Sequence, residues 1–216
     1  MLMNFILLTK TKILSIFINL INPTNLHNYS KFLQIKNIWT NIKLDKIDGD
    51  YIEFGIFKGK SLYHSYKTYK KIFQSNEINF YGLDSFDGFP IENHHFYRKE
   101  NFKTSYEKVS RQFKKYRNIK IFKGFFEEVV SAKELEELKK ISFAFIDCDI
   151  YESSQVAFKY LKPRMAQGGF IMIDDFTSID ENQNTIMKAF FEVFELNKEV
   201  HSYSQYSNGQ VFRFIT

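Results

Sequence analysis

Apolar runs of strand length alternate along this chain with longer segments whose apolar positions recur at helical spacing. The runs lie at 51–55, 78–83, 119–122, 141–146 and 169–173, and two alternating runs follow at 200–205 and 210–215. Between them the period predicts helices at 59–73, 104–116, 131–140, 152–161 and 181–196, with two earlier ones at about 2–20 and 27–41. Such alternation implies a mostly parallel α/β sheet with helices on both faces. Pro163 and Gly168-Gly169 end one helix and restart a strand. Ser207-Asn208-Gly209 between the last two runs is a hairpin signal, so the seventh strand should run antiparallel.

Two successive runs end in acid. The strand at 141–146 is followed by Asp147, and the strand at 169–173 by Asp174 and Asp175. Neighbouring parallel strands lie only ~5 Å apart. Three carboxylates therefore meet at one rim, the strand carboxyl ends where open α/β sheets bind ligands. A lone aspartate there would ordinarily cap a helix or face water. Three together raise one another's pKa unless a positive group sits among them. A hard divalent cation meets that need, and oxygen donors without a His or Cys cluster favour magnesium, with manganese or calcium as alternatives.

Where the first strand turns into a helix, the chain reads Glu53-Phe54-Gly55-Ile56-Phe57-Lys58-Gly59-Lys60-Ser61. Glycines there let backbone approach a ligand. Gly59-Lys60-Ser61 imitates a phosphate-binding loop, but one residue is missing between the glycines, and no Gly-x-Gly-x-x-Gly fingerprint is present. The motif suits a looser turn beneath an amino-acid-bearing ligand, or a plain strand-to-helix turn. Asp84 ends the second strand, where a carboxylate can accept hydrogen bonds from both ribose hydroxyls, with Ser85 beside it. Gly124, between Lys123 and Phe125-Phe126, ends the third, where a small residue and aromatics can hold a purine or simply pack the core.

At 216 residues, 44% hydrophobic and 18% aromatic, the chain can bury a full core. We expect a helical segment at 1–44 and one domain at 45–216. The single cysteine, Cys148, excludes an internal disulfide and fits a reducing, cytoplasmic setting; it reads as a small structural residue. A net charge of +5 is spread along the chain with no nucleic-acid motif, so an anionic small molecule is a better partner than nucleic acid. Residues 1–21 are apolar but broken by Lys10 and Lys12; the run at 13–21 is too short to span a bilayer, and no signal-peptide cleavage site follows. Packing on the domain is favoured, with a second subunit or peripheral contact with a membrane surface as alternatives.

Four blocks together resemble the macrocin O-methyltransferase family, sugar O-methyltransferases of the Rossmann-like class I fold. They are Gly49-Asp50-Tyr51-Ile52-Glu53-Phe54-Gly55, Leu83-Asp84-Ser85-Phe86-Asp87-Gly88-Phe89-Pro90, Asp147-Cys148-Asp149-Ile150-Tyr151-Glu152-Ser153 and Gly168-Gly169-Phe170-Ile171-Met172-Ile173-Asp174-Asp175-Phe176. The resemblance covers about 48–216. It implies S-adenosylmethionine on Glu53, Gly55 and Ser61, with its ribose on Asp84, and magnesium on Asp147, Asp174 and Asp175. The acceptor would be the hydroxyl of a sugar, a nucleotide-linked deoxyhexose or a glycan or macrolide sugar, and the enzyme a homo-oligomer. Lys60 departs from the small residue usual at its position, and the chain is short at its N-terminus relative to the pattern.

On this reading the hydroxyl binds beside Asp147 and loses its proton to a carboxylate, with Asp149 as first choice of base if the metal engages Asp147. His94 and His95, in the long aromatic loop at 85–103, are rival bases or acceptor contacts. Three other functions compete. Asp147-Cys148-Asp149 also suits the Asp-x-Asp metal site of a glycosyltransferase, Asp147 the magnesium aspartate of a P-loop kinase, and the whole rim a non-catalytic binding module.

Overall fold

The computed structural model describes residues 22–91 and 98–216. The helix expected at about 2–20, with its packing or membrane contacts, and His94 and His95 lie outside them. Among the described residues no helix is long and apolar enough to cross a membrane.

Seven strands form one sheet: β1 (Asp50–Phe54), β2 (Phe80–Asp84), β3 (Ile119–Lys123), β4 (Ile141–Ile146), β5 (Met165–Ile173), β6 (Val200–Tyr206) and β7 (Gly209–Phe214). Their order is β3-β2-β1-β4-β5-β7-β6. The first five are parallel, and β7 pairs antiparallel with both β5 and β6, as the Asn208-Gly209 turn requires. Phe54 is in register with Leu83 and Ile146, and Ile146 with Ile173. That register lines up Gly55, Asp84, Asp147 and Asp174 along the carboxyl rim.

Successive side chains of each strand go to opposite faces and so feed two cores. Ile52, Phe54, Leu83, Ile146, Ile171 and Ile173 pack beneath α6 (Tyr151–Leu161) and α7 (Ile186–Phe191). Tyr51, Phe80, Phe143, Phe145 and Phe170 pack beneath α1 (Pro23–Leu44) and α2 (Lys60–Phe73). The remaining α-helices among the described residues are α3 (Tyr106–Phe113) and two single turns, α4 (Phe126–Val129) and α5 (Lys133–Glu136).

Three helices differ most from their expected extents, and α3 is shorter at both ends than the expected 104–116. Instead of starting at 27, α1 begins at Pro23, whose fixed φ suits the first helical position, with the Asn22 side chain capping the Thr24 N–H at 2.8 Å. The helix expected at 131–140 is reduced to α4 and α5. Lys140 is drawn out by the sheet, its carbonyl accepting from Asp50 N at 2.9 Å. The helix expected at 181–196 shortens to α7. Asp180 Oδ1 accepts from the backbone of Asn182 and Asn184 at 2.9 and 2.7 Å, holding a turn, and the Thr185 hydroxyl then caps the helix at Lys188 N.

Candidate active site

A cavity of about 570 Å³ opens at the carboxyl rim, lined by Gly55, Asp84, Ser85, Gly124, Asp147, Asp149, Asp174 and Asp175, with the rings of Phe57, Phe89, Phe102 and Phe125. His27 and Lys31 of α1 complete its wall.

Gly55 has φ +90°, and a Cβ on it would lie 1.9 Å from the Asp147 carbonyl oxygen. Only glycine lets the end of β1 pass this close to the end of β4. Asp84 is held by backbone: its Oδ2 accepts from Phe57 N and its Oδ1 from Phe86 N, both at 2.7 Å. Burial raises its pKa against those bonds. Each oxygen retains a lone pair for a ligand hydroxyl. Ser85 donates to the Gly88 carbonyl at 2.6 Å, and Gly124 N donates to Asp84 O at 3.0 Å, which ties the ends of β2 and β3 together.

Glu53 and Ser61 sit elsewhere. Neither lines the cavity; Ser61 Oγ donates to Glu53 Oε1 and the Tyr51 hydroxyl to Glu53 Oε2, the latter at 2.6 Å, with the carboxyl fully buried. They form a polar cluster beneath the Gly55 turn. Gly59 caps α2 with φ +72° and packs against Phe113, so the Gly59-Lys60-Ser61 sequence builds a strand-to-helix turn with its hydroxyl directed inward.

The sheet brings Asp147, Asp149, Asp174 and Asp175 to one wall. Asp149 lies beyond the end of β4 in a left-handed conformation, φ +63°, and lines the same cavity as Asp147. Cys148 is buried, its Sγ 3.3 Å from Ser154 Oγ, and burial pushes its thiol pKa up, as a structural residue's would be.

A lysine occupies the point where two of these carboxylates converge. Lys31 Nζ lies 3.0 Å from Asp147 Oδ2 and also pairs with Asp174 Oδ2, while His27 Nε2 is 3.1 Å from that same Asp174 oxygen. Burial opposes ionisation of Asp174, but the His27 hydrogen bond and the Lys31 charge prevail and hold its pKa down. Burial raises Asp147 in spite of Lys31, and Asp149 is raised by burial and by Asp147. The hydrogen bond to Asp174 raises His27.

Both residues were missed in the sequence, although a signal exists. Lys31, Ile35, Ile38, Trp39 and Ile42 form the buried stripe of α1, with His27 one turn ahead of Lys31. A lysine in register with a core-facing stripe must find a carboxylate.

The set was tested against the expected magnesium. Asp174 keeps one oxygen, Oδ1, buried and without a hydrogen-bond partner, and Asp147 keeps one outside its pair with Lys31, but the ammonium stands between the two carboxylates where magnesium would bridge them. The facing oxygens of Asp147 and Asp174 are both spent on Lys31, and among the described residues no three His, Cys, Asp or Glu side chains converge as ligands. The arrangement does not fit a divalent cation. The other half of the cavity suits S-adenosylmethionine: Gly55 and Gly124 line it, and Asp84 offers carboxylate oxygens for ribose hydroxyls.

Comparison with known proteins gives one consistent picture. The family model described as macrocin-O-methyltransferase (TylF) matches residues 27–207. Mycinamicin III 3''-O-methyltransferase of Micromonospora griseorubida is 22% identical over 173 residues, 71% of this chain and 66% of that relative. Demethyldecarbamoylnovobiocin O-methyltransferase of Streptomyces niveus is 22% identical over 174 residues, 71% of this chain and 64% of its own length. The chain thus spans just under two thirds of these curated relatives. Among solved structures, the O-methyltransferase NovP superposes with a TM-score of 0.70 at 17% identity, covering 87% of this chain and 80% of that one. The calicheamicin methyltransferase CalS11 gives 0.69 at 16% identity, covering 87% and 79%. These likenesses show the class I methyltransferase fold.

Proposed function

Since the chain belongs to the macrocin O-methyltransferase family, we propose that it transfers a methyl group from S-adenosylmethionine to the hydroxyl of a sugar. The observation that carries the reading is one cavity holding two chemistries. Asp84, fixed by two backbone N–H groups at the end of β2, lines it together with the aspartates at the ends of β4 and β5.

On this reading Asp84 accepts from the ribose hydroxyls, Gly55 and Gly124 line the cofactor's side of the cavity, and Phe125 lies along the base. Phe89 and Phe102 form an apolar wall for the acceptor ring. The cofactor supplies a sulfonium-bound methyl group open to in-line attack. Asp147 keeps about a fifth of its side chain exposed, and only its Oδ2 is tied to Lys31. Its other oxygen can take the hydroxyl proton, and its upward-shifted pKa suits a base working near neutrality. Asp149 holds the acceptor alongside it. Orientation and a preorganised charge environment supply most of the acceleration.

The relatives named for mycinamicin and demethyldecarbamoylnovobiocin support an acceptor among sugars of small-molecule biosynthesis. The Asp147-x-Asp149 glycosyltransferase reading has no such support, and one of its two carboxylates already pairs with Lys31.

Calorimetric titration with S-adenosylhomocysteine tests the proposal. Wild type should bind, and Asp84→Ala should bind at least ~10-fold more weakly, about 1.4 kcal/mol. Equal affinity in both proteins would remove the ribose role of Asp84; no binding of S-adenosylhomocysteine, with ATP or a nucleotide sugar bound in its place, would remove the methyltransferase reading.

A further inference from the structure

We propose that the Lys31 ammonium is this chain's built-in substitute for a divalent cation, pairing with both Asp147 and Asp174 and holding the acceptor oxygen, so that methyl transfer here needs no metal ion. The proposal rests on the methyltransferase reading for its chemistry, but its geometry stands apart from that reading.

Core packing, not chance on a mobile surface, places Lys31. Ile35, Ile38, Trp39 and Ile42 are at most 1% exposed, and Trp39 Nε1 donates to Ser65 Oγ at 2.9 Å, which fixes the rotation of α1 about its axis. One turn ahead of Ile35 on the same stripe, Lys31 can point only at the rim. Its side chain is 10% exposed and takes up the facing oxygens of both aspartates, the atoms a cation would need. His27 adds a second contact to Asp174 from the preceding turn. An ion entering here would have to displace a buried ammonium and then sit beside a like charge.

An ammonium has three N–H donors, and two are used on Asp147 and Asp174. The third is left for an oxygen in the cavity that Lys31 helps to line. In the reaction the hydroxyl proton passes to Asp147, the oxygen–methyl bond forms as the sulfur–methyl bond breaks, and the sulfur keeps that electron pair. Lys31 stabilises the charge that builds on the oxygen, the electrostatic part of a metal's role.

The test is binding of manganese ion to the full chain, read by loss of the free-ion paramagnetic resonance signal, beside a titration with S-adenosylhomocysteine. Wild type should show no saturable manganese site up to ~1 mM, the weak end of protein sites for hard cations. Lys31→Met should uncover one at least ~10-fold tighter, lost again in Lys31→Met/Asp174→Asn, while Lys31→Arg should exclude the ion as wild type does. A saturable wild-type site that Asp174→Asn abolishes would overturn the proposal, as would no site in a folded Lys31→Met. Should Lys31→Met not fold, the wild-type and Asp174→Asn titrations decide alone. Failure to bind S-adenosylhomocysteine would instead remove the methyltransferase reading and leave the manganese result to judge Lys31.

Discussion

Glu53 shows what a single buried carboxyl does at the heart of this fold. It is fully buried, and burial pushes its pKa from 4.5 to about 8 even though Ser61 and Tyr51 donate to it. The folded protein therefore holds a proton at Glu53 that the unfolded chain releases once the pH exceeds about 4.5. A group raised in this way contributes a stability that is full at low pH and declines as pH rises from about 4.5 to about 8. Glu53→Gln keeps the shape and removes the titration. Its urea-unfolding free energy should vary less with pH across that window, and it should gain on wild type at the alkaline end. Parallel pH profiles for the two proteins would show that Glu53 does not titrate there. The sequence showed a carboxylate at this position but not its surroundings. Asp84, Asp147 and Asp174 were legible because strand ends place their residues by register alone. The direction of the Glu53 side chain depends on Tyr51 and Ser61, which reach it from β1 and α2.

At the scale of elements, the turn from β1 into α2 carries the tightest constraint in the site. A Cβ at Gly55 would both meet the Asp147 carbonyl at 1.9 Å and adopt φ +90°. Left-handed strain and a backbone clash that cannot relax by rotamer change should together cost Gly55→Ala about 3 kcal/mol or more. Because the atom struck belongs to Asp147, the loss should extend to the site. Denaturant unfolding should show the lower stability, and S-adenosylhomocysteine affinity should fall with it; wild-type values for both would mean that β1 and β4 do not approach this closely. All seven strands were legible, the first five from apolar runs bounded by turn residues and the last two from alternating runs on either side of Asn208-Gly209. Helices were legible in proportion to the apolar stripe they bury. Long α1 and α2 were found, whereas the stretch at 131–140 buries only Leu135 and Leu138 in its middle and yields to the sheet. The segment before α7 yields in the same way to the Asp180 turn.

Across the whole molecule, α1 joins the chemistry of the rim to the stability of the core. Its C-terminal half carries Trp39, the one tryptophan of the chain, whose ring centroid lies 5.1–6.0 Å from those of Tyr51, Tyr69, Phe73, Phe80 and Phe143. Those five rings belong to β1, α2, β2 and β4, so Trp39 reports directly on the docking of α1 against α2 and the sheet. The N-terminal half is fastened by different physics, through His27 and Lys31 to the aspartates after β4 and β5. A helix held at one end by aromatic packing and at the other by buried charge has no end from which to detach alone. Unfolding in urea should then be a single transition, with Trp39 fluorescence and far-ultraviolet circular dichroism sharing one midpoint. Buried pairs are screened far less than surface ones. The two midpoints should accordingly stay together when salt is raised to ~1 M. A fluorescence change that precedes the loss of secondary structure, more so at high salt, would mean that α1 lifts off first and that surface charge pairing is what holds it.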